Sequence, residues 1–104
     1  MIELLVNDTC QQVETTRKEI EAALRELRIN ERVNVKRIRS YADARKMRFE
    51  GSPEVQVDGK DIDPQGHINF RHDACRTYFY AGKFWPFPPK GMIKEAILAI
   101  RGKK

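Results

Sequence analysis

Two cysteines, Cys10 and Cys75, are the residues of this 104-residue sequence best suited to covalent chemistry, because a thiolate is a nucleophile, a redox partner and a soft-metal ligand. Thr9-Cys10-Gln11-Gln12 fits a helix capping box, in which the Thr9 hydroxyl accepts from a backbone N–H and Gln12 reaches back. That reading sets Cys10 in the first turn of a helix. Unsatisfied N–H groups and the positive end of the helix dipole favour a thiolate there, while the neighbouring Asp8 carboxylate opposes it. Cys75 stands in His72-Asp73-Ala74-Cys75-Arg76, which offers an imidazole, a carboxylate and a guanidinium that could assist a thiolate. Three roles stay open for it: a redox disulfide with Cys10, a soft-metal site shared with Cys10 and His72, or simple packing. Two cysteines are too few for a self-sufficient structural zinc site, and His67 is the weaker of the two histidine candidates.

Such thiols need a rigid frame. Residues 2–6 are a short apolar run closed by Asn7 and Asp8 and predict a buried strand. Val13, Ile20, Leu24 and Leu27 recur at helical spacing and predict a helix following Thr9. Residues 33–38 alternate apolar and polar side chains as a second strand does. Ser40 with Asp43 opens a shorter helix, expected to turn Tyr41, Ala44 and Met47 inward and to stop at Gly51-Ser52-Pro53. Val55 and Val57 mark a third strand, and Asp58-Gly59 turns it into a fourth around Ile62. Met92, Ile93, Ala96, Ile97 and Ile100 stripe a last helix over residues 89–100, with Gly102 as its stop. The order βαβαββα predicts one α/β domain over residues 1–104, with a mixed four-stranded sheet and helices on both faces. Its first two strands should be parallel and its hairpin pair antiparallel.

That order, with a cysteine at the start of the first helix and Gly51-Ser52-Pro53 just before the third strand, resembles the thioredoxin-like fold. Residues 49–59 look like the segment in which thioredoxins and glutaredoxins place a proline facing the helical cysteine. More narrowly, Gly51-Ser52-Pro53, Val57-Asp58-Gly59, Asp61-Ile62-Asp63-Pro64 and Cys75-Arg76-Thr77-Tyr78 resemble small thioredoxin-like (glutaredoxin-like) proteins, some of them labelled as related to alkylmercury lyase. The resemblance implies a cis Ser52–Pro53 bond and thiol redox chemistry at Cys10, with Cys75 as a partner. Thr9, Ser52, Pro53, Arg76 and Tyr78 would line the site. It implies a protein thiol, a disulfide or a small thiol as reaction partner, and no cofactor. One departure matters. Thioredoxins carry C-x-x-C, and Val13 stands at the second position here, so only a monothiol reaction or a partnership with Cys75 remains. Alkylmercury cleavage would need two thiols and an acid, residue types that Cys10, Cys75 and Asp73 supply.

Composition narrows the field further. The net charge of +5 comes from bases interspersed with acids, save for a basic end at Arg101, Lys103 and Lys104, and no nucleic-acid module accompanies it. No apolar run approaches the roughly 20 residues of a membrane span, and the first residues lack the features of a signal peptide, so a cytoplasmic address without membrane contact is expected. Phosphate loops, H-E-x-x-H and G-x-S-x-G are absent. Asp58, Asp61 and Asp63 lack EF-hand spacing and read as a solvated turn. Residues 78–89 hold six of the nine aromatics, either as a connection that covers the core or as an exposed wall for a peptide, an apolar ligand or a second copy. The alternative to redox chemistry is therefore a non-enzymatic binding module. It would hold a soft metal ion through Cys10 and Cys75, or dock a protein through residues 78–89.

Overall fold

The structure is a computed structural model that describes residues 1–65 and 70–102; His67, Lys103 and Lys104 lie outside them. Its elements run β1 (Ile2–Val6), α1 (Val13–Glu26), β2 (Val33–Arg37), α2 (Tyr41–Met47), β3 (Glu54–Val57), β4 (Lys60–Asp61), β5 (Tyr78–Tyr80), β6 (Lys83–Trp85) and α3 (Lys90–Arg101). The main sheet has the order β2-β1-β3-β4. β1 pairs in parallel with β2, from Ile2 opposite Val33 to Val6 opposite Arg37, and antiparallel with β3, from Ile2 opposite Val57 to Leu5 opposite Glu54. This is the mixed four-stranded sheet that the β-α-β and hairpin patterns predict. Its hairpin turns at Asp58 and Gly59, both with positive φ (53° and 82°), as a tight two-residue turn requires.

Period-two alternation divides the sheet into two unlike faces. Ile2, Leu4, Val6, Val55 and Val57 meet Ile20, Ala23 and Leu24 of α1 and Ile93 and Ile97 of α3 in one apolar layer. On the other face Leu5 packs with Ile38, Ala44 and Phe49 under α2. The register puts Glu3, Glu54, Gln56 and Asp61 on that second face as well, and Glu3, Glu54 and Gln56 are buried there. A face so polar needs internal partners.

The structure corrects several local expectations. α1 begins at Val13 with Gln12 as its N-cap and no side-chain capping bond. Thr9 does not cap it, because its hydroxyl donates to the Asn7 side-chain oxygen at 3.2 Å. α2 is capped by the Ser40 hydroxyl as expected (Asp43 N–H, 3.1 Å) but ends before Gly51. Arg48 turns left-handed (φ 55°) and the Phe49 N–H closes back on the Ala44 carbonyl at 2.9 Å. Tyr41 is half exposed, standing edge-on to the His72 ring at 4.8 Å. Residues 78–85 are a hairpin, β5 with β6, turning through Ala81 and Gly82. The turn at Asp58-Gly59 is exposed as expected, but two of the three aspartates are paired: Asp58 receives Arg101 at 2.9 and 3.0 Å, and Asp61 receives Arg76 at 2.8 Å. Arg101 also meets Glu31, so this residue of the basic end has acidic neighbours in space.

Candidate functional site

Asn7, the first residue after β1, links the two cysteine-bearing segments. Its backbone carbonyl accepts the Cys10 N–H at 3.4 Å, and its side-chain amide donates to the Ala74 carbonyl at 2.9 Å. Its own N–H donates to the Ser52 hydroxyl at 3.3 Å. Ser52 in turn brackets Cys75: its N–H donates to the Ala74 carbonyl (2.9 Å) and its carbonyl accepts the Arg76 N–H (3.2 Å), which forms an isolated parallel bridge between Ser52 and Cys75. Asn7 and Ser52 are buried, so their polar groups need such partners. The Ser52–Pro53 bond is cis. Gly51 is held at φ 141°, and a Cβ there would come within 3.1 Å of the Cys75 carbonyl carbon, so only glycine lets the two chains approach this closely.

The structure thus draws the Cys10 loop, the Ser52–Pro53 segment and the Cys75 segment to the C-terminal end of β1. Both cysteines are free thiols, Cys10 half-buried and Cys75 exposed. Cys10 precedes the N-cap of α1, so the expected place in a capped first turn is replaced by a loop position fixed through Asn7. Asp8 turns its carboxylate to Arg39 at 3.2 Å, a cation that offsets its charge beside Cys10. His72 does not join the two thiols in a metal set: among the described residues, no three His, Cys, Asp or Glu side chains converge as ligands.

Beneath this arrangement lies a cluster that reading the sequence as alternating strands missed. Arg76 is buried, and its guanidinium donates to Asp61 at 2.8 Å, to Glu54 at 3.3 Å and to the Asp63 carbonyl. It also lies over the Tyr78 ring, 4.6 Å from the centroid. Tyr78 is fully buried, and its hydroxyl donates to the Pro53 carbonyl. Arg76 is therefore engaged with acids on the sheet, where the sequence suggested a guanidinium assisting Cys75. The segment is fastened on both sides of Ser52–Pro53, by Asn7 above and by Arg76 and Tyr78 below. Glu54-Val55-Gln56-Val57 carried a signal for the cluster, since a strand with two valines on one face and a carboxylate on the other needs a cation if both faces are covered.

One guanidinium facing two buried carboxyls neutralises only one of them. Burial, followed by the nearby Asp61 charge, pushes the Glu54 carboxyl up to about 7 from an ordinary 4.5, against the pull of the Glu50 N–H, Gln56 and Arg76. Burial likewise raises Asp61, with Arg76 opposing. A carboxyl raised in the folded state binds its proton more tightly there than in the unfolded chain. Its stabilising contribution is therefore complete below pH 4.5 and is lost as the pH climbs through about 7. Across that window the unfolding free energy should fall by about 3 kcal/mol, and Glu54→Gln should flatten the slope. Urea unfolding at a series of pH values tests this, and a slope unchanged by Glu54→Gln would contradict it.

The aromatic hairpin divides by face. Tyr78 is buried and Trp85 is half-buried, with its indole N–H donating to the Tyr80 carbonyl at 2.9 Å. Phe79 and Phe84 lie opposite each other on the outer face, 58% and 72% exposed, with ring centroids 5.0 Å apart. A cavity of about 660 Å³ opens elsewhere, beside β4 and the end of α3, and neither cysteine lines it. No described helix is long and apolar enough to cross a membrane.

Neither a curated protein nor a solved structure matches the chain. Nearly the whole of it, residues 2–97 and so both cysteines, Ser52–Pro53 and the Arg76 cluster, matches one family, and on that extent the chain belongs to the family described as Domain of unknown function (DUF2703).

Proposed function

We propose that this chain is a thioredoxin-like thiol protein in which Cys10 and Cys75 act as a pair in thiol–disulfide exchange with a protein or small-molecule partner. The observation that carries the reading is Asn7, which hydrogen-bonds to the Cys10 loop through its carbonyl and to the Cys75 segment through its side chain, beside Ser52–Pro53. Cys75, the more exposed thiol, meets the partner first. Its thiolate attacks one sulfur of a partner disulfide, and one partner thiol leaves as the mixed disulfide forms. Cys10 then attacks the Cys75 sulfur, releasing the second partner thiol and closing a Cys10–Cys75 disulfide. The chain loses two electrons and two protons, and the partner gains them. With Val13 in place of a neighbouring thiol, Cys10 and Cys75 supply the attacking and resolving roles that C-x-x-C combines in one turn.

Glutathione disulfide tests the scheme. The wild-type chain should end as an internal disulfide with two glutathione molecules released. Cys10→Ser and Cys75→Ser should each stop at a glutathione adduct, as intact-mass measurement would show. A wild-type chain that holds glutathione on either cysteine without closing the internal bond would refute paired chemistry. The exposed Phe79–Phe84 pair supports a second reading, a module that docks a protein through its hairpin. That activity would survive Cys10→Ser/Cys75→Ser and fail in Phe79→Ser/Phe84→Ser.

A further inference from the structure

The cavity beside β4 has the size of a small-molecule site, about 660 Å³ against the roughly 300–1,000 Å³ of ligand pockets. Ile62 after β4, Phe70, and Ala96 and Ile100 of α3 give it apolar walls. The two alanines of its helical wall, Ala96 and Ala99, leave open space where Ile93 and Ile97, on the neighbouring stripe, fill the core.

Its charged lining is asymmetric in what is already engaged. Asp61 is held by Arg76, Gln56 donates to the Met47 carbonyl and to Glu54, and Glu50 accepts the Gln65 N–H. The two cations of the lining, Arg48 and Lys60, have no carboxylate partner among the described residues; Arg48 lies over the Phe70 ring, 5.7 Å from its centroid. A chamber with apolar walls whose two cations have no carboxylate partner among the described residues suits a ligand with an apolar body and one negative end.

We infer that this cavity binds an amphipathic organic anion, a carboxylate with a short aliphatic or aromatic body, whose chain lies against Ile62, Phe70 and Ala96 and whose carboxylate meets Arg48 and Lys60. The site is separate from the thiols and does not depend on their chemistry. Because Gln56 and Asp61 belong both to the cavity lining and to the Arg76 cluster, a bound ligand would touch the groups that hold the Cys75 segment.

Calorimetric titration with octanoate, alongside octan-1-ol and octylammonium of the same chain length, tests it. Octanoate should bind once per chain and at least about tenfold more tightly than either relative. Ala99→Phe, on an exposed helix position, should abolish the heat, and Arg48→Glu/Lys60→Glu should weaken octanoate by about tenfold or more while leaving octan-1-ol unchanged. Circular dichroism of each variant checks that the fold is kept, and Cys10→Ser/Cys75→Ser should bind octanoate as the wild type does. Equal affinity for octanoate and octan-1-ol, octanoate binding that survives Ala99→Phe in a folded chain, or no saturable octanoate binding would each overturn the inference.

Discussion

Replacing Arg76 by Leu should cost about 3–5 kcal/mol of unfolding free energy at pH 8 and markedly less at pH 5. The side chain is almost wholly inside the protein, and its removal leaves Glu54 and Asp61 facing each other on the sheet without a counter-charge. At pH 8 both must either ionise in a poorly solvated place or take up protons from a dilute pool. Their folded-state affinities for protons then rise further above the unfolded values, so the penalty grows with pH and shrinks where protons are abundant. Lost contact with Tyr78 and with the Asp63 carbonyl contributes at every pH and sets the residual cost at pH 5. Paired denaturation curves at the two pH values are the check. An equal loss at both would mean that packing, and not charge, is what Arg76 supplies.

Phe49→Ala should lose a comparable 3–5 kcal/mol, with little dependence on pH. Phe49 is fully buried with Leu5, Ile38 and Ala44, and half-buried Met47 and Phe70 pack against that cluster. The same residue fixes where α2 stops and where the chain starts towards Gly51-Ser52-Pro53, so the cavity would loosen the connection that carries Ser52. Chemical denaturation measures the loss. A cost below about 1 kcal/mol would show that the layer under α2 collapses around the gap.

The frame of the molecule was legible because its signals are local. Residues 2–6, the α1 and α3 stripes, Ser40 with Asp43, and Asp58-Gly59 each determine an element from a few neighbouring residues, and the parallel and hairpin pairings of a mixed sheet follow from their succession, whereas the placing of β1 beside β3 does not. What failed depended on partners far along the chain. Thr9 reads as a helix cap until Asn7, itself drawn to Ala74 across the fold, takes its hydroxyl. Arg76 reads as an aid to Cys75 until the sheet register presents Glu54 and Asp61. The β5–β6 hairpin was hidden for a different reason: Ala81-Gly82 is a weaker turn signal than Asp58-Gly59, and aromatic-rich strands look like a core-covering connection. The candidate site was therefore half visible. Its cysteines, Ser52 and Pro53 could be named from the sequence, whereas the hydrogen bonds that gather them belong to Asn7 and to residues 22 or more positions apart.

That Cys10 and Cys75 form one site is the claim on which the functional reading stands, and a disulfide between them requires Cα atoms within about 7 Å. Mild oxidation of dilute reduced protein with diamide, followed by non-reducing digestion and peptide mass mapping, measures this directly. The expected product is a single Cys10–Cys75 linked peptide pair, formed in the monomer with loss of two hydrogens and reversed by a thiol reductant. Chains that stay reduced, or that link only between molecules through Cys75, would contradict it.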